Sequence, residues 1–158
     1  MKKTAFIIYL FSVIVLMTGC EKKDPFVDRV ISPLLFIVLD DNGVASSGLT
    51  TEPTVNNKVT KAVTFSIRLV ELDKTNLLDK TKGIDSVAVK SLSIQLSIRN
   101  GAKIGDLVTN DKGKATLTKT WAELGLTEPK SGTTLLLSWS GKYKDVVFTK
   151  YTRIQAVN

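Results

Sequence analysis

From Leu34 onward the chain alternates apolar and polar residues with a period of two, and almost nowhere with the 3.6-residue period of an amphipathic helix. The clearest case is Lys61 to Glu71, where Val63, Phe65, Ile67 and Leu69 fall on one face of a strand and Thr64, Ser66 and Arg68 on the other. Ser91 to Arg99 repeats the pattern with Leu92, Ile94, Leu96 and Ile98 inward, and Asn100-Gly101 supplies its turn. Leu34 to Leu39 is apolar throughout and stops at Asp40-Asp41-Asn42-Gly43, as a buried strand before a tight turn would. Ala102 to Thr109 and Lys114 to Trp121 are expected to pair as a hairpin across Asn110-Asp111-Lys112-Gly113. Thr133 to Ser140, with Leu135, Leu137 and Trp139 on one side, is followed after Gly141-Lys142 by a long last strand from Lys144 to Val157. Gly43 to Lys58, rich in Ser, Thr, Gly and Asn, reads as a loop or irregular edge, and Leu72 to Asp85 as a long polar loop. One helical turn is expected within Trp121 to Gly125. The count is about seven strands in about 125 residues, the spacing of an all-β sandwich.

The first residues obey a different pattern. Met1-Lys2-Lys3 is positive, and Ala5 to Met17 is apolar apart from Tyr9 and Ser12, a run that suits the core of an export signal. It is too short for a membrane span, which needs about 20 apolar residues, and it ends in Thr18-Gly19-Cys20 followed by charge.

Leu16, Met17, Thr18, Gly19 and Cys20 resemble the lipobox of bacterial lipoprotein signal peptides, with Met17 where that family usually has Leu. The resemblance implies thioether lipidation of Cys20, cleavage between Gly19 and Cys20, and acylation of the new amine. The domain boundaries expected on this basis are a signal peptide over 1–19, a tether over 20–33 and a folded domain over 34–158. Several acyl chains, each contributing about 0.8 kcal/mol per buried methylene, would hold the protein on a bilayer without any membrane-spanning helix. The tether can reach about 45 Å extended and about 20 Å as a flexible coil, so the domain can stand clear of the headgroups. Glu21 to Asp24 also resembles the short charged export tags of surface lipoproteins in some Gram-negative phyla; a solvated spacer explains the same four residues.

Composition narrows the chemistry. Histidine is absent and Cys20 is the only cysteine, which removes Cys/His zinc sites, His-dependent nucleophile systems and intramolecular disulfides. The formal charge of +7 falls to +5 without Lys2 and Lys3, and it is spread along the chain with no basic block interleaved with aromatics, so no nucleic-acid partner is expected. Carboxylates that could pair for acid/base work are Asp40 with Asp41, Asp106 with Asp111, and Glu123 with Glu128, all at predicted turns where such residues serve the backbone. Asp40, Asp41 and Asn42 are hard oxygen ligands of the kind calcium takes, but lack the later bidentate Glu of a recognised loop. No metal or cofactor is expected. Candidate ligand-binding residues are Trp121, placed beside a loop, with Tyr143 and Tyr151 on the basic C-terminal hairpin; Trp139, sharing a face with Leu135 and Leu137, is assigned to the core.

Asn100, Gly101, Ala102, Ile104 and Gly105, then Thr109, Asp111, Gly113, Ala115 and Leu117, resemble the bacterial immunoglobulin-like domains of surface proteins and adhesins. That resemblance implies an immunoglobulin-like β-sandwich serving as a spacer or adhesive module. The expected protein is therefore a non-enzymatic lipoprotein at the outer membrane, on its periplasmic or cell-surface side, with a binding or structural role toward a glycan or protein partner. Two alternatives stand beside it. One is a glycan-binding accessory of a nutrient-uptake system, which requires an exposed aromatic platform; the other is an assembly subunit of a surface appendage, which requires an unpaired edge strand.

Overall fold

The computed structural model describes residues 34–45, 52–73, 75–76, 78–83 and 85–158; the expected signal peptide (1–19), Cys20 and the expected tether (20–33) lie outside the described residues. Among the described residues nine strands follow one another: β1 (Leu35–Leu39), β2 (Thr54–Lys58), β3 (Val63–Asp73), β4 (Asp85–Ala88), β5 (Ser93–Ile98), β6 (Lys103–Val108), β7 (Lys114–Lys119), β8 (Thr134–Tyr143) and β9 (Val146–Val157). A single 3-10 turn, Ala122–Leu124, sits where one helical turn was expected.

The strands form two sheets. In the four-stranded sheet β3 pairs with β1 along one edge, while its other edge is divided between β7, opposite Val63 to Arg68, and β4, opposite Val70 to Asp73. The five-stranded sheet runs β2-β9-β8-β5-β6, antiparallel except for β2, which lies parallel to β9. With β3 and β7 in one sheet and β5, β8 and β9 in the other, the described residues make an all-β sandwich of two sheets.

The inward residues of both sheets make one core. Val63, Phe65, Ile67 and Leu69 from β3 meet Ile94, Leu96, Leu137 and Trp139 from β5 and β8. Each such side chain contributes about 1.5–3 kcal/mol by leaving water. Trp139, 1% exposed, takes edge-on contacts from Phe36 and Phe65 across the sandwich at ring-centre distances of 5.8 and 6.5 Å. Its indole N–H donates to Thr152 Oγ1 at 2.9 Å, which satisfies the polar end of a ring that is otherwise wholly apolar in its surroundings.

Three expectations change. β2 and β4 fall in stretches read as loop, or between strands, because β2 brings only Val55 and Asn57 inward and β4 is four residues long. Residues 103–108 and 114–119 are not a hairpin: β6 pairs with β5, β7 pairs with β3, and Asn110 to Gly113 carries the chain from one sheet to the other. The β8-β9 turn is Lys144-Asp145, both at positive φ (47° and 64°), while Gly141 lies inside β8. Gly141 is small because of packing: a Cβ there would come within 2.8 Å of the Phe148 ring.

Candidate functional site

Period-two pairing decides which side chains the five-stranded sheet presents outward. Trp139 is buried, so its neighbours Ser138 and Ser140 face out, as do their cross-strand partners Ser97 and Gln95 on β5 and Tyr151 and Thr149 on β9. The middle of the outer face thus carries hydroxyl and amide groups with one aromatic ring, and exposed Val108 and Val147 lie toward one end. Tyr151 is 37% exposed, and the Arg99 guanidinium lies 4.1 Å from its ring centre, a cation-π contact worth about 0.5–1 kcal/mol at such a site. Arg99 also donates to Glu52 Oε1 at 2.6 Å, and Arg153 lies 3.9 Å from Glu52 Oε2. Arg99, Tyr151, Arg153 and Glu52 form a partly exposed cluster that orders one ring and two guanidinium groups around one carboxylate.

The other candidate aromatics are placed differently. Trp121, proposed as an exposed sugar-stacking ring, is 6% exposed: it packs in the core, and its indole N–H donates to the Lys58 carbonyl at 3.2 Å, tying the 3-10 turn to the end of β2. Tyr143 shares the inward face of β8 with Trp139, opposite to the face that carries Tyr151, so the two tyrosines make no common platform. The Tyr143 hydroxyl donates to Glu71 Oε2 at 2.8 Å, and Lys144 pairs with the same carboxylate, joining the β8-β9 turn to β3 of the opposite sheet. The Lys144 and Tyr143 hydrogen bonds hold the Glu71 carboxyl below the usual range. Burial, followed by Glu71, pushes the Tyr143 phenol up, and Glu71 pushes the Lys144 ammonium up.

Of the paired carboxylates, Asp40 and Glu123 serve the backbone and Asp106 and Asp111 meet lysines. Glu123 Oε2 accepts the Thr120 amide at 2.8 Å while the Thr120 hydroxyl receives the Glu123 amide at 3.3 Å, a capping box on the 3-10 turn; the Thr120 amide and Lys119 lower Glu123 to about 2. Asp106 is bound by Lys103 at 2.6 Å and Asp111 lies 3.6 Å from Lys90. Asp40 Oδ1 accepts the amides of Asn42 and Val44, and no cluster of three or more Asp or Glu suited to a metal ion occurs among the described residues. Asp40, Asp41 and Asn42 do border a cleft of about 410 Å³ whose other wall carries Thr54, Asn56, Lys58 and Lys61.

Arg99 and Glu52 escape a sequence reading because they are 47 residues apart and meet only through the β2-β9-β8-β5 order. Only the outward position of Arg99 at the end of an alternating run hints at its role. No protein-family model, curated protein or solved structure matches this chain.

Proposed function

We propose that this protein is a non-enzymatic lipoprotein of the Gram-negative envelope, anchored in the outer membrane through Cys20, whose sandwich is a binding module. The contact surface in this reading is the outer face of the five-stranded sheet around Tyr151. The observation that carries it is the ordered cluster of Arg99, Tyr151, Arg153 and Glu52 set in a field of Ser, Thr and Gln side chains. Such a surface offers directional hydrogen bonds and one ring edge at low conformational cost, which suits recognition. Glu71, Asp73, Asp79 and Glu123 are held downward by their hydrogen-bond partners, which suits these four to structural pairing rather than to general-acid work.

The glycan-accessory alternative is left with Tyr151 alone, since Trp121 is buried and Tyr143 faces inward. The assembly alternative is supported by β6, which has a partner strand on one side only among the described residues. That edge carries a register shift opposite Leu96/Ser97 and the charged pair Lys103 and Asp106, features that discourage strand addition.

Metabolic labelling with radioactive palmitate tests the anchor. The wild-type chain is expected to take up label and sediment with membranes, and Cys20→Ala to do neither; an unlabelled wild type overturns the lipoprotein reading.

A further inference from the structure

The outward face of β3 and β7 carries three cross-strand pairs in sequence: Thr64 with Thr118, Ser66 with Thr116, and Arg68 with Lys114. The first two pairs are hydrogen-bonded through their hydroxyls, at 3.4 and 3.2 Å. The third places two cations directly opposite each other, an arrangement that costs stability in an antiparallel sheet, and neither makes an ion pair among the described residues. Elsewhere Lys82, Lys90, Arg99, Lys103, Lys119, Lys142, Lys144 and Arg153 all have a carboxylate within reach. Of the sixteen described Lys and Arg residues the other eight make no ion pair among the described residues, and the β3-β7 register sets two of these, Arg68 and Lys114, directly against each other, a repulsion that an anion from outside would relieve.

We propose that this strip binds an acidic polysaccharide, with Arg68 and Lys114 holding an oxyanion of the chain and Thr116 and Thr118 meeting its hydroxyls. The complementarity is compositional as well as electrostatic. A strip of about 14 Å along the strands offers hydroxyls over most of its length and positive charge at one end. That matches a polymer with many hydroxyls and spaced anions better than a lipid headgroup layer, which would favour clustered cations. Arg68, Thr116 and Thr118 are exposed and Lys114 half-buried, so these groups are accessible, while Ser66 is buried beneath them and supports Thr116. The strip belongs to the opposite sheet from Tyr151, so its failure leaves the five-stranded face as a separate question.

The test uses the full-length protein in detergent on surfaces bearing dextran sulfate or neutral dextran. Wild type should bind dextran sulfate selectively, and the double variant Arg68→Gln/Lys114→Gln should lose about tenfold in affinity, as expected for removal of two charge-assisted contacts. The double variant Lys80→Gln/Lys130→Gln, with the same net charge, should bind as wild type does; an equal loss there would reduce the effect to net charge and overturn the proposal. Lys114→Glu should abolish binding while raising the melting temperature, because the like-charged pair becomes an opposite one. Undiminished binding by Lys114→Glu, or a dependence on the pair seen with phosphatidylglycerol vesicles but not with dextran sulfate, would also overturn it.

Discussion

Asn57 points inward from β2 at 1% exposure, and its Oδ1 has no hydrogen-bond partner among the described residues; its amide nitrogen makes one long bond, 3.4 Å, to the Val55 carbonyl. An unsatisfied buried oxygen costs about 1–3 kcal/mol. Asn57→Val should therefore raise stability by about 1–2 kcal/mol in a denaturant titration. A loss of that size would mean that the amide is satisfied by a buried water. Charge tells a second residue-scale story. Glu123 is lowered from 4.5 to about 2, so the folded state binds fewer protons than the unfolded state between those values. Its contribution is complete above pH 4.5 and is lost as pH falls toward 2. Glu123→Gln should flatten the melting temperature against pH across this window, and a slope unchanged from wild type would remove the capping box as its cause. Glu71 acts in the same direction, while its partners Tyr143 and Lys144, both raised, lose their contributions as pH climbs past 10.0 and 10.5. Trp139 was legible as core from its spacing with Leu135 and Leu137. Trp121 was not legible, because nothing local to a strand end reveals that the end of β2 passes beside it and turns the Lys58 carbonyl toward its indole N–H.

At the scale of elements, the sharpest constraint is where β4 and β7 meet end to end along β3. Leu69 donates its amide to the Gly113 carbonyl, and its own carbonyl accepts from Val89. Gly113 has φ 70°, and a Cβ there would lie 2.3 Å from the Leu69 carbonyl oxygen, so both backbone conformation and space demand glycine. Gly113→Ala is expected to destabilise the fold by about 2–4 kcal/mol, against about 1–3 kcal/mol for Gly141→Ala, where the obstacle is a ring that can shift. Denaturant midpoints decide the order; a tolerated Gly113→Ala would require the sheet crossing to be looser than drawn. The same region marks what alternation can reveal. β3 and β5 were readable because each has one face in the core and one in water. The partner of each strand was not readable, because the period-two pattern says which face is buried and nothing about which sheet a turn leads to. Asn110 to Gly113 has the chemistry of a hairpin turn and serves as a crossing.

At the scale of the molecule, the two sheets close on each other through pairs far apart in sequence: Leu117 comes within 3.0 Å of where a Cβ of Gly105 would lie, and Lys144 and Tyr143 clasp Glu71. Both flanks of the sandwich are thus secured, which favours a module that acts as a rigid body. Protease shaving of intact cells should cut the tether and release the folded domain if Glu21 to Asp24 is an export tag; protection of the protein in whole cells, with release only after the outer membrane is opened, would place it on the periplasmic side. The parallel pairing of β2 with β9 has a mechanical meaning under the proposed anchoring through Cys20. A pull from the N-terminal side first meets β1 on β3; what is passed on to Thr54 and leaves at Val157 runs along β2 and β9 in opposite senses, so the pairs from Thr54/Arg153 to Lys58/Val157 are loaded in shear and must yield together. An antiparallel pair joined by a turn would unzip one bond at a time under the same load. A load that reaches this pair therefore meets five register positions at once rather than one after another.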